Sequence, residues 1–161
     1  MTAQAQQATD IPVTDRLETR VEVNAPRSRV WRAVSTAREF ATWFGMQLEG
    51  EFTAGITVRG RVTIKGYENL TLDLAIERIE PEHYFSYRWH PYAIDPKVDY
   101  SAEPQTLVEF RLEEIADGKG TAVTIVESGF DRIPLARRAE AYRMNDKGWA
   151  GQTKKLVAYV A

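Results

Sequence analysis

The sequence contains no cysteine and only two histidines. Without cysteine the chain forms no disulfide, thiolate nucleophile or cysteine-rich metal site, and we predict a reducing, cytoplasmic location. No grouping of His, Asp and Glu has recognisable metal-ligand spacing, so we expect no metal and no other cofactor. A glycine-rich phosphate loop and a nucleophile elbow are also missing, and we assign no catalytic residue.

The net charge is small, and long apolar runs are absent from the sequence. The formal net charge is -2, which predicts no basic surface for nucleic acid. No apolar run approaches the roughly 20 residues that a membrane helix needs, so we expect no membrane partner. Residues 1–10 lack the basic and apolar regions of a signal peptide. Residues 1–14 are rich in Ala and Gln, and we predict a disordered tail there.

The remaining residues, 15–161, have the length and composition of one globular domain. Apolar and polar residues alternate from Arg16 to Val23, which predicts a strand. Pro26 then favours the first turn of a helix. Apolar spacings up to Phe44 predict two short helices, with a break near Thr36 and an end at Gly45.

Alternation returns after Gly45 and predicts six further strands before a helix of about 25 residues that starts near Pro134. This order predicts an α+β fold, in which a curved antiparallel sheet of about six to seven strands carries its helices on one face. The predicted strands lie near residues 47–52, 56–64, 70–76, 85–89, 108–112 and 123–127.

Three further features of the chain add expectations. The predicted buried stripe of the long helix contains Leu135, Ala139, Tyr142, Trp149, Leu156 and Val160. Gly148 inside this helix costs about 1 kcal/mol relative to Ala, which suggests close packing at that point. The loop at residues 92–105 is long for a compact domain, and loops of this length are often functional lids or mobile segments.

Several short motifs occur in the order typical of one superfamily. They are Val21 to Ala33 (VEVNAPRSRVWRA), Trp43-Phe44, Val126 to Phe130 (VESGF) and Asn145 to Trp149 (NDKGW). Together they resemble the START-related, birch-pollen-allergen-like (SRPBCC) superfamily, in the branch named for the C-terminal domain of the activator of Hsp90 ATPase. The resemblance covers roughly residues 15–161.

This resemblance implies a helix-grip fold, in which the sheet wraps around the long C-terminal helix and a ligand cavity lies between them. Many single-domain members of the branch look like binding modules, whereas other members of the superfamily act as aromatase/cyclases on polyketides. The Hsp90 activator also has a separate N-terminal domain, for which this chain is too short. A chaperone partner is therefore the less favoured expectation.

Aromatic residues dominate the predicted inner surface, and each has two interpretations. They either pack as ordinary core or line a cavity for a flat, hydrophobic ligand. The aromatic candidates for ligand binding are Trp43, Phe44, Phe52, Tyr87, Trp89, Phe110, Tyr142 and Trp149.

Glu127 is the most informative polar residue. Because Val123 and Ile125 face the helix, the period of two turns Glu127 inward as well. A buried carboxylate needs a partner or a raised pKa, so Glu127 is either an ion pair or helix cap, or a group that orients or protonates a ligand. Asn145 lies beside the buried stripe of the long helix and donates either into a cavity or to a strand carbonyl. Tyr87 and Arg88 are further candidates for orienting a ligand.

The histidines offer little support for catalysis. Strand alternation turns His90 outward at the edge of the loop, and His83 lies in a solvated turn. We therefore favour a non-enzymatic domain that binds a small hydrophobic or aromatic molecule. The alternatives are an enzyme of the polyketide cyclase or hydrolase type and a modulator of an Hsp90-type chaperone. A homodimer formed through an edge strand or the long helix is a further possibility.

Overall fold

A computed structural model describes residues 15–68 and 70–161, and the tail predicted at residues 1–14 lies outside the described residues. Within these described ranges the fold has seven strands and three helices, with short 3-10 turns at Ala116–Gly118 and Phe130–Arg132. The elements are β1 (Arg16–Val23), α1 (Arg27–Ser35), α2 (Ala37–Phe44), β2 (Met46–Glu49), β3 (Thr57–Val62), β4 (Leu74–Glu80), β5 (Tyr84–Trp89), β6 (Thr106–Ile115), β7 (Gly120–Ser128) and α3 (Leu135–Val160).

The two short helices begin and end where the sequence predicts. Pro26 precedes the first turn of α1 in an extended conformation. Thr36 is also extended, with φ −98° and ψ 119°, and this residue separates α1 from α2. Gly45 ends α2 in the left-handed region at φ 98°, which a residue with a side chain adopts only at a cost. A Cβ at Gly45 would also lie 2.7 Å from Ile64 Cγ1.

The seven strands form one antiparallel sheet in the order β1-β7-β6-β5-β4-β3-β2. The first strand therefore pairs with the last strand, from Arg16 opposite Ser128 to Val23 opposite Thr121. The pairing of β4 with β5 shifts register between Ile76 and Arg78. This open, curved sheet with a long C-terminal helix confirms the predicted α+β helix-grip class.

The strands predicted near residues 47–52 and 70–76 extend beyond the observed ones. β2 ends at Glu49, and Phe52 follows in irregular chain. The fourth strand starts at Leu74, although the alternation of apolar residues begins at Leu70. Residues 70–72 approach β3 through two backbone hydrogen bonds and a single bridge from Arg61 to Thr71. Side-chain alternation continues there because the segment is extended, but the ladder is too short to form a regular strand.

The buried stripe of α3 is only partly as predicted. Trp149, Leu156 and Val160 are buried, which confirms the C-terminal half of the stripe. Leu135 is 80% exposed and Ala139 is exposed, so their assignment to the stripe is wrong. In the first turns of α3 the partly buried side chains are those of Arg137 and Arg138, whose guanidinium groups hydrogen bond to groups outside α3.

Gly148 does not mark a close packing contact, contrary to the sequence-based expectation. It is exposed on α3, and a Cβ built there has no non-local neighbour within 4 Å. Gly151, one turn later, is equally exposed and unobstructed. The helix therefore has two positions without side chains on a face where side chains would fit.

Candidate ligand-binding site

Glu127 lies on the inner face of β7, as the alternation with Val123 and Ile125 predicts. All three side chains have no exposed surface. A carboxylate loses the hydration that stabilises its charge when it is buried in this way. The groups that hydrogen bond to the Glu127 carboxylate in place of water are therefore the polar groups of interest in the interior.

Four neutral side chains donate hydrogen bonds to the Glu127 carboxylate. Oε1 accepts from Trp149 Nε1 at 2.8 Å, and Oε2 accepts from Trp89 Nε1 at 2.8 Å and Thr106 Oγ1 at 2.6 Å. Asn145 Nδ2 lies 2.9 Å from Oε1 and 3.0 Å from Oε2. We refer to these five residues as the Glu127 cluster.

The local structure explains why these donors meet. Trp89 and Thr106 are opposite each other on β5 and β6, and Val108 on β6 is opposite Glu127 on β7. Thr106 is two residues from Val108, so it shares the inner face with Glu127. Asn145 and Trp149 are four residues apart on α3 and therefore project from the same face of the helix.

The ion-pair interpretation of Glu127 is wrong for the part of the chain that is described. No Lys, Arg or His in residues 15–68 and 70–161 forms a salt bridge with it. Asn145 donates to this carboxylate and not to a strand carbonyl. Burial raises the pKa of Glu127, and the four donors act in the opposite direction because they stabilise the charged form.

Most of the predicted aromatic candidates form one continuous cluster with Phe40 and Phe85. The ring centroids of neighbouring members lie 4.9–6.5 Å apart, a range at which aromatic pairs stabilise a core. This aromatic cluster belongs to the buried core between the sheet and the helices, where the family resemblance implies a ligand cavity. Its members among the candidates are Trp43, Phe44, Phe52, Tyr87, Trp89, Phe110 and Trp149.

Two candidates lie elsewhere. Tyr142 packs against Phe130 at 5.2 Å, and its hydroxyl donates to the Arg16 carbonyl oxygen. Arg88 forms an ion pair with Glu77 at 2.8 Å and alternates with the inward residues Tyr87 and Trp89. The structure thus brings neither side chain to the Glu127 cluster.

Open volume lies beside the aromatic cluster, between the middle of α3, β3 and the chain that follows β5. This large pocket has a volume of about 410 Å³. Asn145 and His90 add polar groups to it, and Lys147 and Gly148 also line it. Its apolar lining includes Phe44, Val62, Ile64, Leu72, Trp89 and Met144.

A small pocket of about 110 Å³ adjoins the large one, since both are lined by Phe44, Trp89, Asn145 and Gly148. Trp149 and Gln152 complete the small pocket. Gln152 Nε2 donates to the Phe44 carbonyl oxygen at 3.0 Å. Three of the predicted site residues, Phe44, Trp89 and Asn145, therefore border both pockets, whereas Gln152 was not predicted.

The loop that borders the large pocket is held by Arg137, which lies near the start of α3. Its guanidinium contacts Glu103 Oε1 at 2.6 Å and donates to the Pro91 carbonyl oxygen at 2.8 Å. The Tyr100 ring lies 4.8 Å from the same guanidinium. Tyr92 adopts a left-handed conformation at φ 49°, which is strained for a residue with a side chain. No sequence signal reveals this contact, because Glu103 and Arg137 belong to separate segments.

His90 follows Trp89 and is half-buried, where the sequence predicts an exposed residue. Its Nε2 lies 3.1 Å from the Glu103 carbonyl oxygen, which joins it to the same loop. His83 is exposed, as predicted.

Within the described ranges no three His, Asp or Glu residues are grouped to hold a metal ion. No described helix combines the length and the apolar character needed to cross a membrane.

The curved antiparallel sheet, the long C-terminal helix and the pockets beside it define a helix-grip domain. The sequence profile of one such family, described as activator of Hsp90 ATPase homolog 1-like protein, matches residues 24–161. The chain belongs to this family, which confirms the branch that its motifs resemble. Comparison with the curated proteins finds no match.

Solved structures show the same fold. DynU16, from the dynemicin biosynthetic locus, has a TM-score of 0.67 at 26% identity over 91% of this chain and 47% of its own. This chain thus spans about half of DynU16. MLL2253 from Mesorhizobium loti has a TM-score of 0.68 at 24% identity, over 90% of this chain and 96% of its own. The Aha1 dimer from Colwellia psychrerythraea has a TM-score of 0.66 at 15% identity, over 90% and 95%.

Proposed function

We propose that this domain binds a small hydrophobic or aromatic molecule in the large pocket beside α3. The observation that carries the proposal is an apolar pocket of about 410 Å³ that borders the Glu127 cluster. Ligand sites in proteins usually combine such a lining with a few fixed polar groups. The location of DynU16 in a biosynthetic locus is consistent with a small-molecule ligand.

The Glu127 cluster prepares the pocket for binding. Trp89 and Asn145 line the large pocket, and both donate to the buried carboxylate. Their side chains are therefore held in one conformation before a ligand arrives. Pre-organised groups lose less conformational entropy on binding, which improves affinity without additional contacts.

The same geometry favours binding over catalysis. A carboxylate that acts as an acid or base must reach the atom from which it takes or gives a proton. Glu127 has no exposed surface, and both of its oxygens accept hydrogen bonds from protein side chains. A ligand in the pocket would meet Trp89 and Asn145 before it met this carboxylate. We therefore rank the cyclase or hydrolase alternative below a binding role.

The other partner predictions have weaker support. A chaperone-binding surface requires a contiguous exposed apolar patch, and four large apolar side chains are exposed among the described residues. They are Ile56, Tyr67, Val98 and Leu135. Homodimerisation and a chaperone partner both stay predictions.

Gly148 and Gly151 provide a matched test of the pocket. Both are exposed on α3 with open space at the Cβ position, but only Gly148 lines the pockets. We expect Gly148→Leu to project a side chain into the pocket and to abolish ligand binding. Gly151→Leu should leave binding intact, because it changes the same helix by the same side chain one turn away.

Binding is measured with purified protein by thermal shift against fatty acids, sterols, flavonoids and polycyclic aromatics, with anilinonaphthalene sulfonate fluorescence as a second probe. A ligand at 100 times its dissociation constant stabilises the fold by about 2.7 kcal/mol, which raises the midpoint by several degrees in a domain of this size. A shift that Gly148→Leu removes and Gly151→Leu keeps supports the proposal. Equal responses of the two variants would reject the pocket as the binding site.

A further inference from the structure

We propose that this chain forms a symmetric homodimer in which β1 pairs antiparallel with β1 of a second copy, with the two-fold axis at Thr19. β1 is an edge strand, because it pairs with β7 on one side and with no described strand on the other. The backbone N–H and C=O groups on the open side of an edge strand can pair with another strand. β1 lines neither the large nor the small pocket, so this inference is independent of the proposed function.

Two hydrogen bonds at the start of β1 show which residues face the open side. The Asp15 carbonyl oxygen accepts from the backbone N–H of Gly129 at 3.0 Å, just beyond the end of β7. The Arg16 carbonyl oxygen accepts instead from the Tyr142 hydroxyl of α3 at 3.0 Å. The backbone groups of successive residues in a strand point to opposite sides, so every second residue from Arg16 faces the open side. These edge residues are Arg16, Glu18, Arg20 and Glu22.

The edge residues are accessible to a second copy. Their side chains are 48–61% exposed. Among the described residues, no hydrogen bond reaches the backbone groups of Glu18, Arg20 and Glu22 on the open side. Such groups are solvated, since an unpaired backbone group that is buried away from water is costly. A second strand can therefore replace water along this side of β1.

Charge selects one register for this pairing. Edge residues of the two copies lie opposite each other only when the two-fold axis passes through a residue of β1. An axis at Thr19 places Arg16 opposite Glu22 of the second copy. The same axis places Glu18 opposite Arg20, so every pair joins opposite charges. With the axis at Glu18, Glu18 would oppose itself and Arg16 would oppose Arg20. With the axis at Arg20, Arg20 would oppose itself and Glu18 would oppose Glu22. Opposite charges directly across two strands stabilise the pairing and like charges destabilise it, which favours the axis at Thr19.

The opposite edge of the sheet does not share this property. β2 has four residues, Met46–Glu49, and contains no Lys or Arg. Two paired β2 strands would therefore bring no cation opposite Glu49. Charges of one sign on an edge strand keep other strands away, whereas the alternating signs of β1 match a second copy of β1.

A single introduced thiol reports the register, because the chain has no cysteine. Thr19 would face itself across the axis in a pair without mutual backbone hydrogen bonds, where the Cα atoms lie about 4.5 Å apart and a disulfide can form. We expect Thr19→Cys to give a cross-linked dimer on mild oxidation, measured by non-reducing electrophoresis. Val21→Cys is the matched control, since Val21 is also half-buried on the same face of β1. Two copies of Val21 would lie roughly 13 Å apart along the paired strands, so this variant should cross-link at least about tenfold more slowly.

The charge pattern is tested by the dissociation constant of the dimer, measured by sedimentation equilibrium at low ionic strength. Arg20→Glu places like charges opposite each other on both sides of the axis and should raise this constant at least about tenfold. Arg38→Glu makes the same change in net charge at an exposed position on α2, so it should have less than about a twofold effect. The double substitution of Glu18→Arg with Arg20→Glu restores opposite charges and should recover the dimer.

Each outcome supports or overturns the proposal. A wild type that stays monomeric at the highest concentration measured would overturn it. Equal effects of Arg20→Glu and Arg38→Glu on the dissociation constant would overturn β1 as the interface. Equal cross-linking of Thr19→Cys and Val21→Cys would overturn the axis at Thr19. The charge variants change exposed side chains only, so they decide the interface even if a cysteine variant fails to fold.

Discussion

Trp89 and Trp149 donate their indole N–H groups to opposite oxygens of the same carboxylate, and their rings stack at 5.8 Å with an interplanar angle of 28°. One tryptophan belongs to β5 and the other to α3, so the pair joins the sheet to the long helix. The stacking depends on Glu127, because the carboxylate fixes the direction in which each ring projects.

The first prediction concerns Glu127. Glu127→Gln keeps the shape of the side chain but places an NH2 group against donors, so at least one buried N–H or O–H loses its acceptor. We expect a loss of about 2–4 kcal/mol in the free energy of unfolding, because buried polar groups without partners are costly. Urea denaturation at pH 7 measures this loss. Glu113→Gln, at an exposed position on the neighbouring strand β6, should change stability by less than about 0.5 kcal/mol.

The stability difference between the wild type and Glu127→Gln is expected to change with pH in a definite direction. Burial raises the pKa of Glu127 above its ordinary value of 4.5, so the folded state takes up this proton more readily than the unfolded state. Its contribution to stability is complete below the ordinary value and is lost as pH rises through the raised pKa. The stability difference between the wild type and Glu127→Gln should therefore grow between pH 7 and pH 5. A difference that shrinks on acidification would show that the four donors outweigh burial.

Glu39 should show the opposite pH dependence. It accepts hydrogen bonds from Arg29 at 2.7 Å, Arg32 at 3.1 Å and the Tyr159 hydroxyl at 3.1 Å. Burial acts to raise the pKa of Glu39, but these partners together lower it below 4.5. The stability that Glu39 supplies is then present above pH 4.5 and lost as pH falls through the lowered pKa.

We expect Glu39→Gln to lose about 1–2 kcal/mol at pH 7, since the carboxylate joins α1, α2 and the end of α3 through charge-assisted hydrogen bonds. The loss should become smaller in acid. Thermal denaturation between pH 7 and pH 3 measures it, with Glu49→Gln at an exposed position on β2 as the control. A loss that stays constant over this range would contradict the lowered pKa.

Arg137 is predicted to hold the loop of residues 91–105 against α3. Arg137→Met keeps much of the apolar stem but removes the contacts with Glu103 and with the Pro91 carbonyl oxygen. Hydrogen exchange in residues 91–105 should become at least about tenfold faster, which corresponds to the loss of about 1.4 kcal/mol of local stability.

Lys154→Met is the matched control for Arg137→Met, because Lys154 is an exposed basic residue on the same helix. Exchange in the strands β6 and β7 should be unchanged in both variants. Equal acceleration over the whole chain in Arg137→Met would indicate a general loss of stability and would contradict a local role for Arg137.

Gly148→Ala and Gly151→Ala should each stabilise the protein by up to about 1 kcal/mol. Alanine has a higher helix propensity than glycine, and a Cβ at either position has no non-local neighbour within 4 Å. Guanidinium denaturation measures the change. Destabilisation by Gly148→Ala alone would show that the helix needs the glycine conformation at the pocket.

The sequence predicts most of the elements because their patterns are local. Alternation between Arg16 and Val23 and the glycine after Phe44 each determine an element or its end. The inward orientation of Glu127 follows from the same period of two. The identity of its partners does not follow, because Trp89, Thr106 and Asn145 come from three separate elements. Only the register of β5, β6 and β7 and the position of α3 bring them together.

The failures of prediction have related causes. Leu135 has the correct spacing for the buried stripe, but spacing does not show where the sheet beneath the helix ends. The contact between Arg137 and Glu103 depends on where the fold places the loop that contains Glu103, which no local pattern shows. A glycine inside a helix is compatible both with close packing and with open space. Only the neighbouring atoms in the fold show that Gly148 has open space beside it.

The pairing of the first strand with the last has a consequence for synthesis of the protein. Arg16 pairs with Ser128, so 112 residues must be made before β1 has its complete partner. At a translation rate of roughly 5–20 residues per second, this interval is about 6–22 s. During that time β1 is a strand without a sheet, and its alternating apolar side chains are accessible to chaperones and to other nascent chains. Folding of this domain is therefore expected to finish only after the C-terminal third has left the ribosome.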